Sequence, residues 1–150
     1  MVDARCDAFL RNPVANRASR VQGRSWLTTI GRSFPTPGVH AICERVRRQA
    51  IARHYAVMFG ATLSALDVDP LAAQQMYLFG VSRGIAAAAV RLGIVGTMEA
   101  QRLVAESAAD LGRTLARCSR LTMDEAAQTA PLIDLWQSGH TRLYSRLFQS

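Results

Sequence analysis

His40 and Cys43 are the first pair in this chain whose types and spacing could do chemistry, because residues three apart share one face of a helix. An imidazole and a thiolate suit a borderline metal such as nickel or zinc. A complete site wants three or four ligands, and nothing near them in sequence completes it. His54 lies too far along to be counted, so no metal ligand is assigned. Nucleophilic chemistry has still less to stand on. There is no GxSxG, no HExxH and no paired-Cys framework, and the 3 histidines do not make a triad. All 18 basic residues are Arg, which removes a P-loop lysine, a Schiff-base lysine and a Ser-Lys dyad. Any nucleotide-driven step that involves this chain therefore has its nucleotide site on another molecule. The residues read as those of a protein that is not an enzyme.

Charge offers a different class of function. The 18 arginines face 11 acidic residues, for a net charge of +7, and Arg45, Arg47, Arg48 and Arg53 form a cluster. That is the electrostatic footprint of a basic helical nucleic-acid-binding module, the alternative reading. The aromatic residues are few and not interleaved with these arginines, and no helix-turn-helix or RNA-binding signature is present. A solvated helix face or a protein interface fits better, since Arg favours planar, bidentate contacts with carboxylates and phosphates.

Cys6, Cys43 and Cys118 are an odd number of widely spaced thiols, as in a reducing compartment. No secretion signal opens the chain, and the most apolar stretch, 76–96, is interrupted by Arg83 and Arg91. The uncharged runs left are shorter than the roughly 20 residues a membrane span needs. The expectation is a cytoplasmic protein with no membrane partner.

The elements that must position these residues are helices. Apolar positions recur at helical spacing from Asp7 to about Ile30, with Pro13 marking an early start or a kink. Pro35 and Pro37 break the chain, and a second helix is predicted from His40 to Leu66, with a break near 55–60. Asp69 and Pro70 cap a third helix that runs to about Leu92. In it Gly80, Gly84 and Ala88 make a column of small residues that another helix can approach. Thr97 caps a fourth helix to about Ser119; Thr122 and Glu125 have capping-box spacing for a short one toward Ala130, and Pro131 opens the last. No segment alternates long enough to propose a sheet. The predicted fold is all-α, a single-domain bundle of five or six helices with an extended C-terminal tail.

That tail, HTRLYSRLFQS over 140–150, threads Leu143, Tyr144, Leu147 and Phe148 with Arg142 and Arg146, where chain ends usually carry small polar residues. Read with the rest, it resembles a known family. APLIDLWQSGHTRLYSRLFQS (130–150) is similar to the C-terminus of the UreF-type urease accessory proteins, which end in a histidine, a few residues and a YSRLF motif. SRGIAAAAVRLGIVG (82–96) resembles the family's central helix and closing turn, and RHYAVMFGATLSALDVD (53–69) its histidine-to-Phe-Gly segment. NPVANRASRVQGRSWL (12–27) matches its pattern through Asn12, Ala18, Ser19, Gln22 and Gly23.

The resemblance implies a non-catalytic, all-helical scaffold for assembly of the nickel centre of urease. Such proteins bind a partner called UreD or UreH, recruit the nickel-carrying GTPase UreG onto apo-urease, and pair as homodimers. The chain itself is expected to hold no cofactor, nickel being handled by the complex. Residues 1–139 would be the helical domain and 140–150 a tail that orders against UreD or UreH. Partner contacts would come from His140, Arg142, Leu143, Tyr144, Arg146, Leu147 and Phe148. Asn12, Ser19, Gln22, Arg83 and Arg91 are further interface candidates; for the two arginines, salt bridging between helices is an equal alternative. Two departures stand out. Family members begin with a longer region bearing a Pro-Val-Gly-Gly type motif, so the chain is expected to be a fragment or to carry a misassigned start, or else to be a degenerate member. Thr141 and Gln149 stand where family tails often have glutamate and arginine.

Overall fold

The computed structural model describes residues 2–127 and 130–139. Among them are eight α-helices and one 3-10 turn, and no strand: α1 (Val2–Phe9), α2 (Pro13–Ser33), α3 (Pro37–Arg48), α4 (Tyr55–Ser64), α5 (Pro70–Arg91), α6 (Thr97–Glu106), α7 (Ala108–Cys118), the turn Met123–Glu125, and α8 (Pro131–Ser138). The all-α expectation is met; the five or six helices become eight. The difference lies in breaks that periodicity alone passes over. Asn12 ends the first predicted helix and starts α2, its Oδ1 accepting from the Val14 and Ala15 amides at 2.9 and 3.3 Å, with Pro13 preset for the first turn. The second predicted helix breaks at 49–54, earlier than expected, and the fourth divides at Ser107. Thr97 lies inside α6, whose N-cap is Gly96, and the Thr122–Glu125 capping box closes only a 3-10 turn.

The helices gather into two compact units, α1–α4 with α8, and α5–α7 with the 3-10 turn. In the first, Leu27 and Ile30 of α2, Val39 and Val46 of α3 and Met58 of α4 form a buried cluster. Trp26, Tyr55 and Phe59 stack beside it, with ring centroids 4.9 to 6.0 Å apart. The Trp26 indole N–H donates to Thr62 Oγ1 at 2.9 Å, and that hydroxyl donates to the Met58 carbonyl at 2.8 Å, so the polar atoms at this place are satisfied. Asp69 caps α5 as predicted, accepting from the Ala72 amide at 3.0 Å. The second unit buries only Ala100, Val104 and Leu115, and α5 contributes no buried residue. A methyl group on Gly80 or Gly84 would meet nothing within 4 Å, so among the described residues no helix occupies the small-residue column there. No described helix is long and apolar enough to cross a membrane.

Candidate functional site

His54, the N-cap of α4, does not cap that helix with its own side chain. Asp3, from α1, instead holds the backbone that leads into it. Its carboxylate, 6% exposed, accepts from the backbone amides of Ala52 (2.6 Å), Arg53 (3.3 Å) and His54 (3.1 Å). These are charge-assisted bonds to the loop before α4, a class stronger than neutral hydrogen bonds. The His54 ring is fully buried between α1 and α2: Nδ1 lies 3.1 Å from Ser19 Oγ and Nε2 2.9 Å from Asp7 Oδ1. Asn16 Nδ2 also donates to Asp7 Oδ1 at 2.9 Å, and these bonds, that of Asn16 foremost, hold the Asp7 carboxyl below its ordinary 3.8. Burial foremost, then the neighbouring Asp3 and Asp7, pushes the Cys6 thiol up.

Asp7, His54 and Ser19 are the residue types of an acyl-transfer triad, in which an exposed serine oxygen gives its proton to the histidine. Here Ser19 Oγ instead accepts the Tyr55 amide at 3.2 Å, and the imidazole has no exposed surface. The cluster works as a clasp joining α1, α2 and the start of α4. Gly23, one turn after Ser19, completes it. A Cβ there would stand 2.0 Å from the Arg53 carbonyl oxygen, so only glycine lets the two backbones approach.

The remaining residues singled out in the sequence are dispersed. Asn12 caps α2 and also donates through Nδ2 to the Asp134 carbonyl (2.8 Å) and Ser138 Oγ (3.2 Å), so it pins α8 to the start of α2. Gln22 on α2 and Arg83 and Arg91 on α5 are exposed. His140, Arg142, Leu143, Tyr144, Arg146, Leu147 and Phe148 lie outside the described residues. His40 and Cys43 line one cleft between α2 and α3, and among the described residues no group of three His, Cys, Asp or Glu could hold a metal ion. The arginine cluster divides: Arg47 and Arg48 reach Glu44 at 2.6 and 3.7 Å, whereas Arg53 faces that cleft.

Sequence reasoning missed the outward face of α8. Leu132, Ile133, Leu135 and Trp136 are 63, 59, 67 and 73% exposed, on a helix held in place by Asn12. Four large apolar side chains on so short an element form a patch of the kind that marks an interaction site. The signal was available, since the apolar residues of α8 are followed within a few positions by those of the tail, from Leu143 on.

Taken together, the fold and its polar clasp define an all-helical protein whose buried polar groups tie helices to one another and whose large apolar side chains stand outward for something to cover. The chain belongs to the UreF family, whose model matches residues 1–108. It is similar to the urease accessory protein F of Arabidopsis thaliana, 32% identical over 151 residues that cover 99% of this chain and 63% of that protein. The protein of the same name from Oryza sativa subsp. indica is 28% identical, over 98% of this chain and 57% of its own length. Urease accessory protein UreF of Xanthobacter autotrophicus is 29% identical over 129 residues, 86% of this chain and 52% of its own. The chain thus spans between half and two thirds of the length of these relatives. No solved structure matches it.

Proposed function

We propose that this chain acts in urease maturation as a non-catalytic scaffold. It binds a UreD/UreH-type partner and recruits or regulates a UreG-type GTPase, so that nickel, the cargo of the complex, enters apo-urease in the cytoplasm. The observation that carries the reading is the outward apolar face of α8, which leads directly into the tail. Leu132, Leu135 and Trp136, with Leu143, Tyr144, Leu147 and Phe148 beyond them, supply the aromatic and aliphatic anchors that dominate binding energies, and Arg142 and Arg146 supply polar contacts at the rim. Membership of a family whose members carry the name urease accessory protein supports the partner class. The absence of lysine fits a division of labour in which GTP hydrolysis belongs to the partner. A homodimer of the chain has further apolar surface available on α5, where Met76 and Phe79 on one side are 50 and 51% exposed and Ile85 on another is 68% exposed.

The test is reconstitution in cells that express urease with its accessory proteins but lack their own UreF-type protein. This chain is expected to restore nickel content and urease activity, and Trp136→Asp to abolish the restoration while leaving the chain folded. Restoration by Trp136→Asp equal to that of the unaltered chain would refute the role given to α8. No restoration by the unaltered chain would refute the maturation role itself.

A further inference from the structure

The cleft between α2 and α3, of ≈ 380 Å³, has an unusual lining. Buried Leu27 and Val39 lie beneath it, Arg24, Arg32, Arg47 and Arg53 surround it, and among the described residues no aspartate or glutamate lines it. Its size is that of a small-molecule site. Arg47 is engaged with Glu44 at 2.6 Å, but among the described residues no ion pair joins Arg24, Arg32 or Arg53 to a carboxylate. The Arg53 Nε is buried and, among the described residues, has no hydrogen-bond partner. A buried N–H of a charged group is costly to leave unpaired, and such groups nearly always have a partner.

The backbone of Arg53 is equally unusual. It sits at φ +68°, a left-handed conformation that a long side chain adopts only where the surroundings impose it. Two contacts impose it here: Asp3 accepts the Arg53 amide at 3.3 Å, and the Arg53 carbonyl oxygen lies against Gly23. The clasp of α1, α2 and α4 therefore fixes one of the residues that line the cleft. Guanidinium groups gathered around one hollow repel one another, and a bound anion would relieve that repulsion.

We propose that this cleft binds a small, multiply charged oxyanion, a phosphate ester or a polycarboxylate, held by Arg24, Arg32 and Arg53 with Arg47 at its edge. Arginine presents the planar donor fork that both anion classes accept in bidentate fashion. The apolar floor favours a ligand with a short carbon body over a bare inorganic ion. The site stands apart from the α8 face and does not depend on the role proposed for it.

Titration calorimetry of the full chain at fixed ionic strength, with inorganic pyrophosphate and separately with citrate, tests the site. At least one probe is expected to bind saturably at one site per chain; tighter pyrophosphate assigns the phosphate class and tighter citrate the polycarboxylate class. The double variant Arg24→Gln/Arg32→Gln, altered only at exposed side chains, should bind about a hundredfold more weakly, since each of the two lost charge-assisted contacts weakens binding by roughly tenfold. Removing the same charge from α7, with Arg113→Gln/Arg117→Gln, should change affinity less than about twofold, the size of a general screening effect. Arg53→Gln should remove binding where thermal melting shows the variant folded. No saturable binding of either probe, or equal losses in the two double variants, would overturn the proposal.

Discussion

The two units of this chain solve the same problem, packing short helices, by different means. The first spends polar groups on it: Asp3, Asp7, Asn12, Ser19 and His54 make bonds that cross between helices, around an apolar cluster from α2, α3 and α4. In the second, Ser82 Oγ meets Ser107 Oγ at 3.1 Å, and apolar side chains of the longest helix stand outward. A helix face in the first unit is therefore committed to its own neighbours, whereas α5 in the second has a face free to be covered. Polar bonds between helices mark the first unit and outward apolar surface the second, and α8 of the first unit shares that outward character.

Glycine substitutions probe that contrast most sharply. Gly23→Ala places a methyl carbon 2.0 Å from the Arg53 carbonyl oxygen, a backbone atom that cannot swing aside, and is expected to cost about 3 kcal/mol, at the upper end for overpacking, or to prevent folding. Chemical denaturation measures it, and a loss below about 1 kcal/mol would mean the two backbones are not held together as described. Asp3→Ala should follow, at about 2 to 3 kcal/mol, because it orphans the amides of Ala52, Arg53 and His54 beneath the surface. Hydrogen exchange at the start of α4 should rise in step.

Gly84→Ala should act in the opposite direction. Nothing lies within 4 Å of the new methyl, so the isolated chain should gain up to about 1 kcal/mol from helix propensity. A loss instead would show that something approaches the Gly80, Gly84, Ala88 column closely. A gain in the dilute chain together with weakened self-association would place a second copy there.

The smallest expected effect is one of pH. The Asp7 carboxyl is depressed below 3.8 by Asn16 and then His54, so the unfolded chain takes up its proton first as the solution is acidified. The stability that Asp7 contributes is present above that value and is lost as pH falls through the lower folded-state value. Acid unfolding curves should show this limb in the native chain and its flattening in Asp7→Asn; identical curves would remove Asp7 from the clasp.

Much of this was readable from the sequence, and what was not had a common cause. The Asp69–Pro70 start of α5 and the break at Pro35 and Pro37 are local signals, set by the residues at the junction itself. Asn12 before Pro13 was an equally local cap, but the surrounding apolar periodicity outweighed it. The break at 49–54 carries no local mark at all. It exists because Asp3, about 50 positions earlier, gathers three of its amides, and because Gly23 lets it lie against α2. The Gln22–Gly23 pattern was visible, yet its purpose is a tertiary approach that spacing cannot express. His54 likewise looked like an isolated histidine until α1 and α2 brought Asp7 and Ser19 to its two nitrogens. The arginines of the cleft were legible as charge but not as a site, since Arg24 and Arg32 come from one helix and Arg53 from the loop after the next.

The central claim is that the outward face of α8 and the tail form one docking element. The most direct measurement is the affinity of the full chain for the UreD/UreH-type protein of the same source, by pull-down and then titration. The comparison is among the unaltered chain, Trp136→Asp and a chain ending at Gly139. The account predicts binding by the unaltered chain, a loss of about a hundredfold or more for Trp136→Asp, as for a central aromatic anchor, and no measurable binding by the shortened chain. Equal binding by all three would place the docking surface elsewhere and contradict the account.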